Sequence, residues 1–300
     1  MRPPLVYHPA YAPRLPRGHR FPMPKFERLL ALLIRKGLAD PCCRYRPVPA
    51  PRGWLELAHT QDYVTAVLEQ RLDPAAERRL GLPMNEEVAL RARAAVAGTV
   101  LASRLALEHG MACNLAGGSH HAFADAGSGF CVFNDVAVAS RVLLSEGQVR
   151  RVLVIDLDVH QGDGTASIMR GDPSVFTFSM HCRTNFPARK ERSHLDLALD
   201  PGCGDDDYLA VLDRLLRPLI AGLRPDIVFY NAGVDPHERD RLGRLALTDA
   251  GLRAREETVL RTVRGAGIPL VCVVGGGYGE DIEEVVARHA VLHEVARDLG

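Results

Sequence analysis

Short apolar runs alternate with longer amphipathic stretches along this chain, and that alternation restricts the fold more than any other feature. A strand buried on both faces of a parallel sheet reads as a continuous apolar run. The chain must then return through a crossover, usually a helix, before the next parallel strand can pair. The runs predict strands at residues 5–8, 111–115, 152–157, 175–180, 227–231 and 270–274, each bounded by Gly, Pro, Asp or Arg. Helical periodicity predicts helices at 25–36, 61–70, 86–108, 134–145, 206–223, 249–265 and 280–297. The expectation is an α/β fold, a single domain over residues 1–300 with a mostly parallel central sheet and helices on both faces. A chain of 300 residues, 47% of them hydrophobic, can bury a core of that size, and no repeat or Gly/Ser-rich linker divides it.

Lys plus Arg equals Asp plus Glu at 37 each, so net charge gives no reason to bind nucleic acid or an anionic membrane. Residues 1–52 nevertheless carry eleven basic residues against Glu27 and Asp40, which reads as a solvated basic face or a docking surface for an acidic partner. Seven cysteines, an odd number with no C-x-x-C pair, argue against a disulfide framework. No run of 18 apolar residues and no signal-type segment is present, so a cytoplasmic protein is expected.

In a parallel sheet, ligands bind beyond the carboxyl ends of the strands, and here those positions are rich in chemistry. Asp156-Leu157-Asp158-Val159-His160 follows the run Val152-Leu153-Val154-Ile155, and strand alternation sends Asp156, Asp158 and His160 to one side. Two carboxylates and an imidazole suit a catalytic divalent cation, whereas a closed structural zinc site draws on several cysteines. Such acids can also cap a helix or pair with arginine. Asp235, after the run at 227–231, completes an Asp158, His160 and Asp235 set that leaves a position open for water and a carbonyl oxygen; a turn former ahead of Pro236 is its other reading. His120 and His121 follow Gly117-Gly118 and can divide acid and base work, with Asp156 and Asp163 available to orient them. Tyr278, after Gly275-Gly276-Gly277, can place a phenol over a developing oxyanion or simply pack on the sheet edge.

Assembled in order, these segments resemble the zinc-dependent histone deacetylase superfamily, with its arginase/deacetylase-like fold and its bacterial acetyl-lysine, acetylpolyamine and acetoin-utilisation members. The matching stretches are Gly117-Gly118-Ser119-His120-His121-Ala122, Gly129-Phe130-Cys131-Val132-Phe133-Asn134-Asp135-Val136, Asp156-Leu157-Asp158-Val159-His160-Gln161-Gly162-Asp163-Gly164, Phe178-Ser179-Met180-His181, Ala232-Gly233-Val234-Asp235 and Gly275-Gly276-Gly277-Tyr278. The resemblance implies that Asp158, His160 and Asp235 ligate Zn2+, or Fe2+. It implies that His120, oriented by Asp156, and His121, oriented by Asp163, form the acid/base pair, and that Tyr278 polarises the acyl carbonyl. Phe130 and Phe186 would wall a lysine channel, with Gly129 accepting from the scissile amide. A structural K+ site would use Asp156, Asp158, His160 and Ser179 with backbone oxygens. The implied substrate is an acylated lysine peptide or protein, or a small acylated amine.

The chain departs from the family pattern at three places. Val274 stands where a fourth glycine often precedes the tyrosine. The segment Phe186-Pro187-Ala188-Arg189-Lys190-Glu191-Arg192 lacks the usual glycines and is closer to bacterial and class IV-like members. Leu242 occupies a pocket position that polyamine-selective relatives fill with an acid. Two rival readings remain: an arginase-type ureohydrolase, for which the second aspartate after Asp235 is missing, and a metal module that binds acyl-lysine without turnover. The oligomeric state leaves no trace in the sequence.

Overall fold

Residues 3–299 are described by the computed structural model; Met1, Arg2 and Gly300, inside the expected 1–300 span, lie outside the described residues. In chain order the elements are β1 (Leu5–Val6), α1 (Lys25–Arg35), β2 (Arg44–Tyr45), α2 (Arg52–Leu55), α3 (Gln61–Leu68), α4 (Pro74–Leu80), α5 (Glu86–His109), β3 (Met111–Asn114), α6 (Asp135–Ser145), β4 (Val152–Asp156), α7 (Asp163–Ile168), β5 (Val175–Cys182), β6 (Leu195–Leu199), α8 (Asp205–Leu223), β7 (Ile227–Asn231), α9 (Asp249–Gly265), β8 (Leu270–Val273) and α10 (Ile282–Asp298). The eight strands form one sheet in the order β2-β1-β3-β8-β7-β4-β5-β6. Every pairing is parallel. Apolar runs buried on both faces require helices on both faces, and α5 lies along β1, β3 and β8 while α1, α10, α9 and α8 pack in succession.

β4 sits centrally between β5 and β7, and all five of its residues are buried. From β4 the chain moves outward to β5 and β6, then returns to β7 and β8 on the other side of β4. That reversal is a topological switch point, so the loops after β3, β4, β7 and β8 open toward one crevice. Helix ends follow local chemistry. Asn85 caps α5 by accepting from Val88 N–H, and Asn134 caps α6 by accepting from Ala137 N–H.

The six expected strands and seven expected helices are present, with β5 running on to Cys182 because it pairs β6 as far as Leu199. Strands β2 and β6 were not expected. β2 is two residues long and β6 is a half-exposed edge, so neither carries a continuous apolar run. α4 is too short for periodicity, yet its Asp73 cap, Pro74 start and left-handed Gly81 stop are sequence signals for it. No helix among the described residues is long and apolar enough to cross a membrane.

Candidate active site

The loops after β4 and β7 bring Asp158, His160 and Asp235 together, with one ligand atom from each within 4.8 Å of the others. His160 Nδ1 lies 3.0 Å from Asp158 Oδ1 and 3.1 Å from Asp235 Oδ2. β4 ends at Asp156, so Asp158 and His160 sit beyond the sheet and strand alternation is not what aims them. Asp156 turns instead to His120, and Asp235 is the third member of the trio. Backbone donors fix the carboxylates: Val159 N–H donates to Asp235 at 2.9 Å and Gly276 N–H to Asp158 at 2.8 Å. A Cβ on Gly276 would stand 2.0 Å from Asp235 Oδ2, so only glycine lets that chain segment approach.

The trio attracts positive charge. Burial works against a His160 imidazolium, yet hydrogen bonds and charge from Asp158 and Asp235 raise its pKa to about 10. Burial, then the neighbouring Asp158, pushes Asp235 up to about 7. Two desolvated carboxylates around one imidazole therefore fit a divalent cation.

His120 and His121 hang on the loop after β3. Gly118 adopts φ +77, and a Cβ there would meet Asn231 Oδ1 at 2.5 Å. His120 Nδ1 is 2.7 Å from Asp156 Oδ2, and His121 Nδ1 is 2.6 Å from Asp163 Oδ1. The two rings lie 4.1 Å apart between centroids. Their electrostatics diverge. Against burial, Asp156 and Asp158 raise His120 to about 9, whereas burial and the adjacent His120 lower His121 to about 4.

Tyr278 packs its ring 6.3 Å from that of His160. Its hydroxyl makes no hydrogen bond among the described residues, and burial together with Asp158 and Asp235 holds the phenol well above its ordinary pKa. It stays protonated near neutral pH and is free to donate. Val274, the departure from the glycine run, is buried and donates to Ala116 O at 3.2 Å as a continuation of β8, so the loop that needs glycine begins at residue 275.

Gly129, Phe130, Phe186 and Leu242 line one cavity of about 340 Å³ together with His121, His160 and Tyr278. Phe186 meets the His121 ring edge-on at 4.8 Å. Phe130 takes φ +67, rare for a bulky residue, while its N–H donates to Leu80 O at 2.8 Å.

Four supporting residues escaped the sequence reading. Asp135 accepts from Gly118 and Ser119 N–H and holds the His120–His121 loop. Asn231 donates to Asp156 at 2.9 Å. Arg255, fully buried beside Glu256, donates to Leu157 O, just ahead of Asp158, and to Gly233 O, two residues ahead of Asp235. Lys25, also buried, donates to Gly275 O at 2.9 Å. Asp135 lay inside a quoted motif and Asn231 at a strand end, so position could have found both. A buried arginine inside a helix gives no such signal.

Comparison with known proteins places the chain in a family. The histone deacetylase domain family matches residues 19–293. Among curated relatives, an uncharacterized protein of Picosynechococcus sp. is 54% identical over 99% of both chains. Histone deacetylase 2 of Arabidopsis thaliana is 31% identical over 90% of this chain and 72% of its own. The acetoin utilization protein AcuC of Staphylococcus aureus is 30% identical over 90% of this chain and 75% of its own. Among solved structures, a histone deacetylase homologue complexed with SAHA superimposes with a TM-score of 0.84 at 26% identity, covering 99% of this chain and 84% of that one.

Proposed function

Because the chain belongs to the histone deacetylase family, we propose that it is a metal-dependent amidohydrolase that removes acetyl or other acyl groups from lysine side chains or related N-acylated amines. One observation carries this reading: His121, His160 and Tyr278 line one cavity, His120 and Asp158 line a smaller one that shares His121 and Tyr278 with it, and Asp235 joins Asp158 and His160 in the trio. A binding module has no need of the paired imidazoles.

Asp158, His160 and Asp235 would hold Zn2+, or Fe2+, which when bound acidifies water and polarises the acyl carbonyl. His120 and His121 share the proton work. One takes a proton as water attacks the acyl carbon, and the pair returns a proton to the departing amine nitrogen. The Asp156 and Asp163 carboxylates fix which ring nitrogen faces the reaction. Tyr278 O–H donates to the acyl oxygen as negative charge develops there. Phe130 and Phe186 sheathe the lysine stem and exclude water, Gly129 O accepts from the scissile amide N–H, and Leu242 closes the far wall. A K+ site formed by Asp156, Asp158, His160 and Ser179 with backbone oxygens would stiffen the trio from behind. We place the reaction in the cytoplasm and take residues 1–300 as one catalytic domain.

Acetate release from an acetyl-lysine peptide by the zinc-loaded protein tests the proposal. Peptide binding with no acetate would favour the non-catalytic module, and urea from arginine with about two manganese ions per chain would favour the ureohydrolase.

A further inference from the structure

The cavity above Tyr278 is ringed by four exposed arginines, Arg20, Arg78, Arg79 and Arg244, and no Asp or Glu lines it with them. They come from three separate segments: the loop ahead of α1, the helix α4 and the loop after β7. Elsewhere on the surface arginines find carboxylates, as Arg170 does with Glu191, Arg183 with Asp200 and Arg239 with Glu284. Among the described residues, none of the four makes an ion pair. Two touch only aromatic faces, Arg20 over Phe130 at 6.0 Å and Arg79 over Phe123 at 5.2 Å. The whole chain balances 37 basic against 37 acidic residues, so the charge at the mouth is a local concentration and not a share of a general excess.

Like charges gathered without counter-ions around an opening attract an anionic partner and repel a cationic one. The four arginines are exposed to solvent, while Phe130, Phe186 and Leu242 supply the apolar part of the lining, so the charge addresses what lies outside the channel and not the acyl chain within it. On the deacylase reading above, we infer that this mouth selects acyl-lysines in an acidic setting, with Asp or Glu flanking the modified lysine. Lysine-rich tails and polyamines, whose positive charges would approach the four arginines, are poor substrates.

Three acetyl-lysine peptides, identical except for flanking Glu, Ala or Lys, test the inference on the zinc-loaded full chain. Exposed ion pairs each change affinity by roughly twofold, so several acting together predict about a tenfold preference in kcat/KM for the Glu peptide over the Lys peptide at low salt. The preference shrinks as salt screens it. A combined Arg78→Glu and Arg244→Glu variant, both side chains being exposed and unpaired, leaves two positive against two negative charges at the mouth and abolishes the ranking. Fluorescence anisotropy of the same labelled peptides reads the charge preference without turnover. Acetate release with no ranking among the three, or a preference for Lys, overturns acidic selection and leaves the deacylase reading standing. Tightest binding of the Glu peptide with no acetate from any peptide supports the selection and sinks the deacylase reading.

Discussion

Asp135 Oδ1 accepts the Ser119 backbone N–H at 2.8 Å, tying the first residue of α6 to the loop that carries His120 and His121. Its other oxygen accepts from Gly118 N–H at 3.2 Å and from the Thr99 hydroxyl at 2.6 Å. Asp135→Ala leaves these buried donors without a partner and costs about 3 kcal/mol of stability. The freed loop misplaces both imidazoles, lowering turnover on the order of 10²-fold. Urea unfolding and initial rates on the same preparation check both effects.

Tyr278→Phe should lower kcat by about 10²- to 10³-fold, the cost of losing one oxyanion donor. The hydroxyl has no partner to abandon, so stability stays within about 0.5 kcal/mol. Unchanged turnover would reject the donor role.

Arg255 and Glu256 form a buried pair, with Tyr230 O–H donating to Glu256 at 2.7 Å. Arg255→Met strands the carboxylate and frees the carbonyls of Leu157 and Gly233, so a loss of about 3–5 kcal/mol is expected. Arg255→Met with Glu256→Gln should recover part of it, because no uncompensated charge remains. Chemical denaturation of both variants measures the difference.

His59 gives a pH signature away from the metal trio. Its Nδ1–H donates to Phe123 O at 2.9 Å and its Nε2 accepts from Asn134 N–H at 3.0 Å, so the folded ring is neutral. Burial lowers its pKa to about 4, the carbonyls of Phe123 and Ala124 pulling weakly the other way. Above pH 6.5 both folded and unfolded rings are neutral and stability is complete. Between about 6.5 and 4 only the unfolded chain takes up the proton, so this residue withdraws up to about 3 kcal/mol of stability as pH falls. His59→Gln, less stable at pH 7.5, should show a shallower decline across that window.

The sequence carried the site further than it carried the edges of the fold. β4 and β7 are legible because central strands bury both faces, and the acids that close or follow them stand out against apolar runs. β6, in which no residue is fully buried, offers no such contrast. Asp158 and His160 were found for a partly mistaken reason. A two-residue offset suggests strand alternation, whereas the chain has already left β4; Gly276 N–H holds the Asp158 carboxylate, whose Oδ1 accepts from His160 N–H. Arg255 and Lys25 stayed hidden because each acts on a backbone carbonyl distant in sequence, which leaves no spacing to read.

Metal titration of the stripped chain bears most directly on the central claim, that Asp158, His160 and Asp235 form one cage for a divalent ion. Followed by calorimetry with zinc, the wild type should take up about one ion per chain, and Asp158→Ala combined with Asp235→Ala should abolish tight uptake while the far-ultraviolet spectrum stays native. Equal uptake by the double variant, or none by the wild type, would contradict the account.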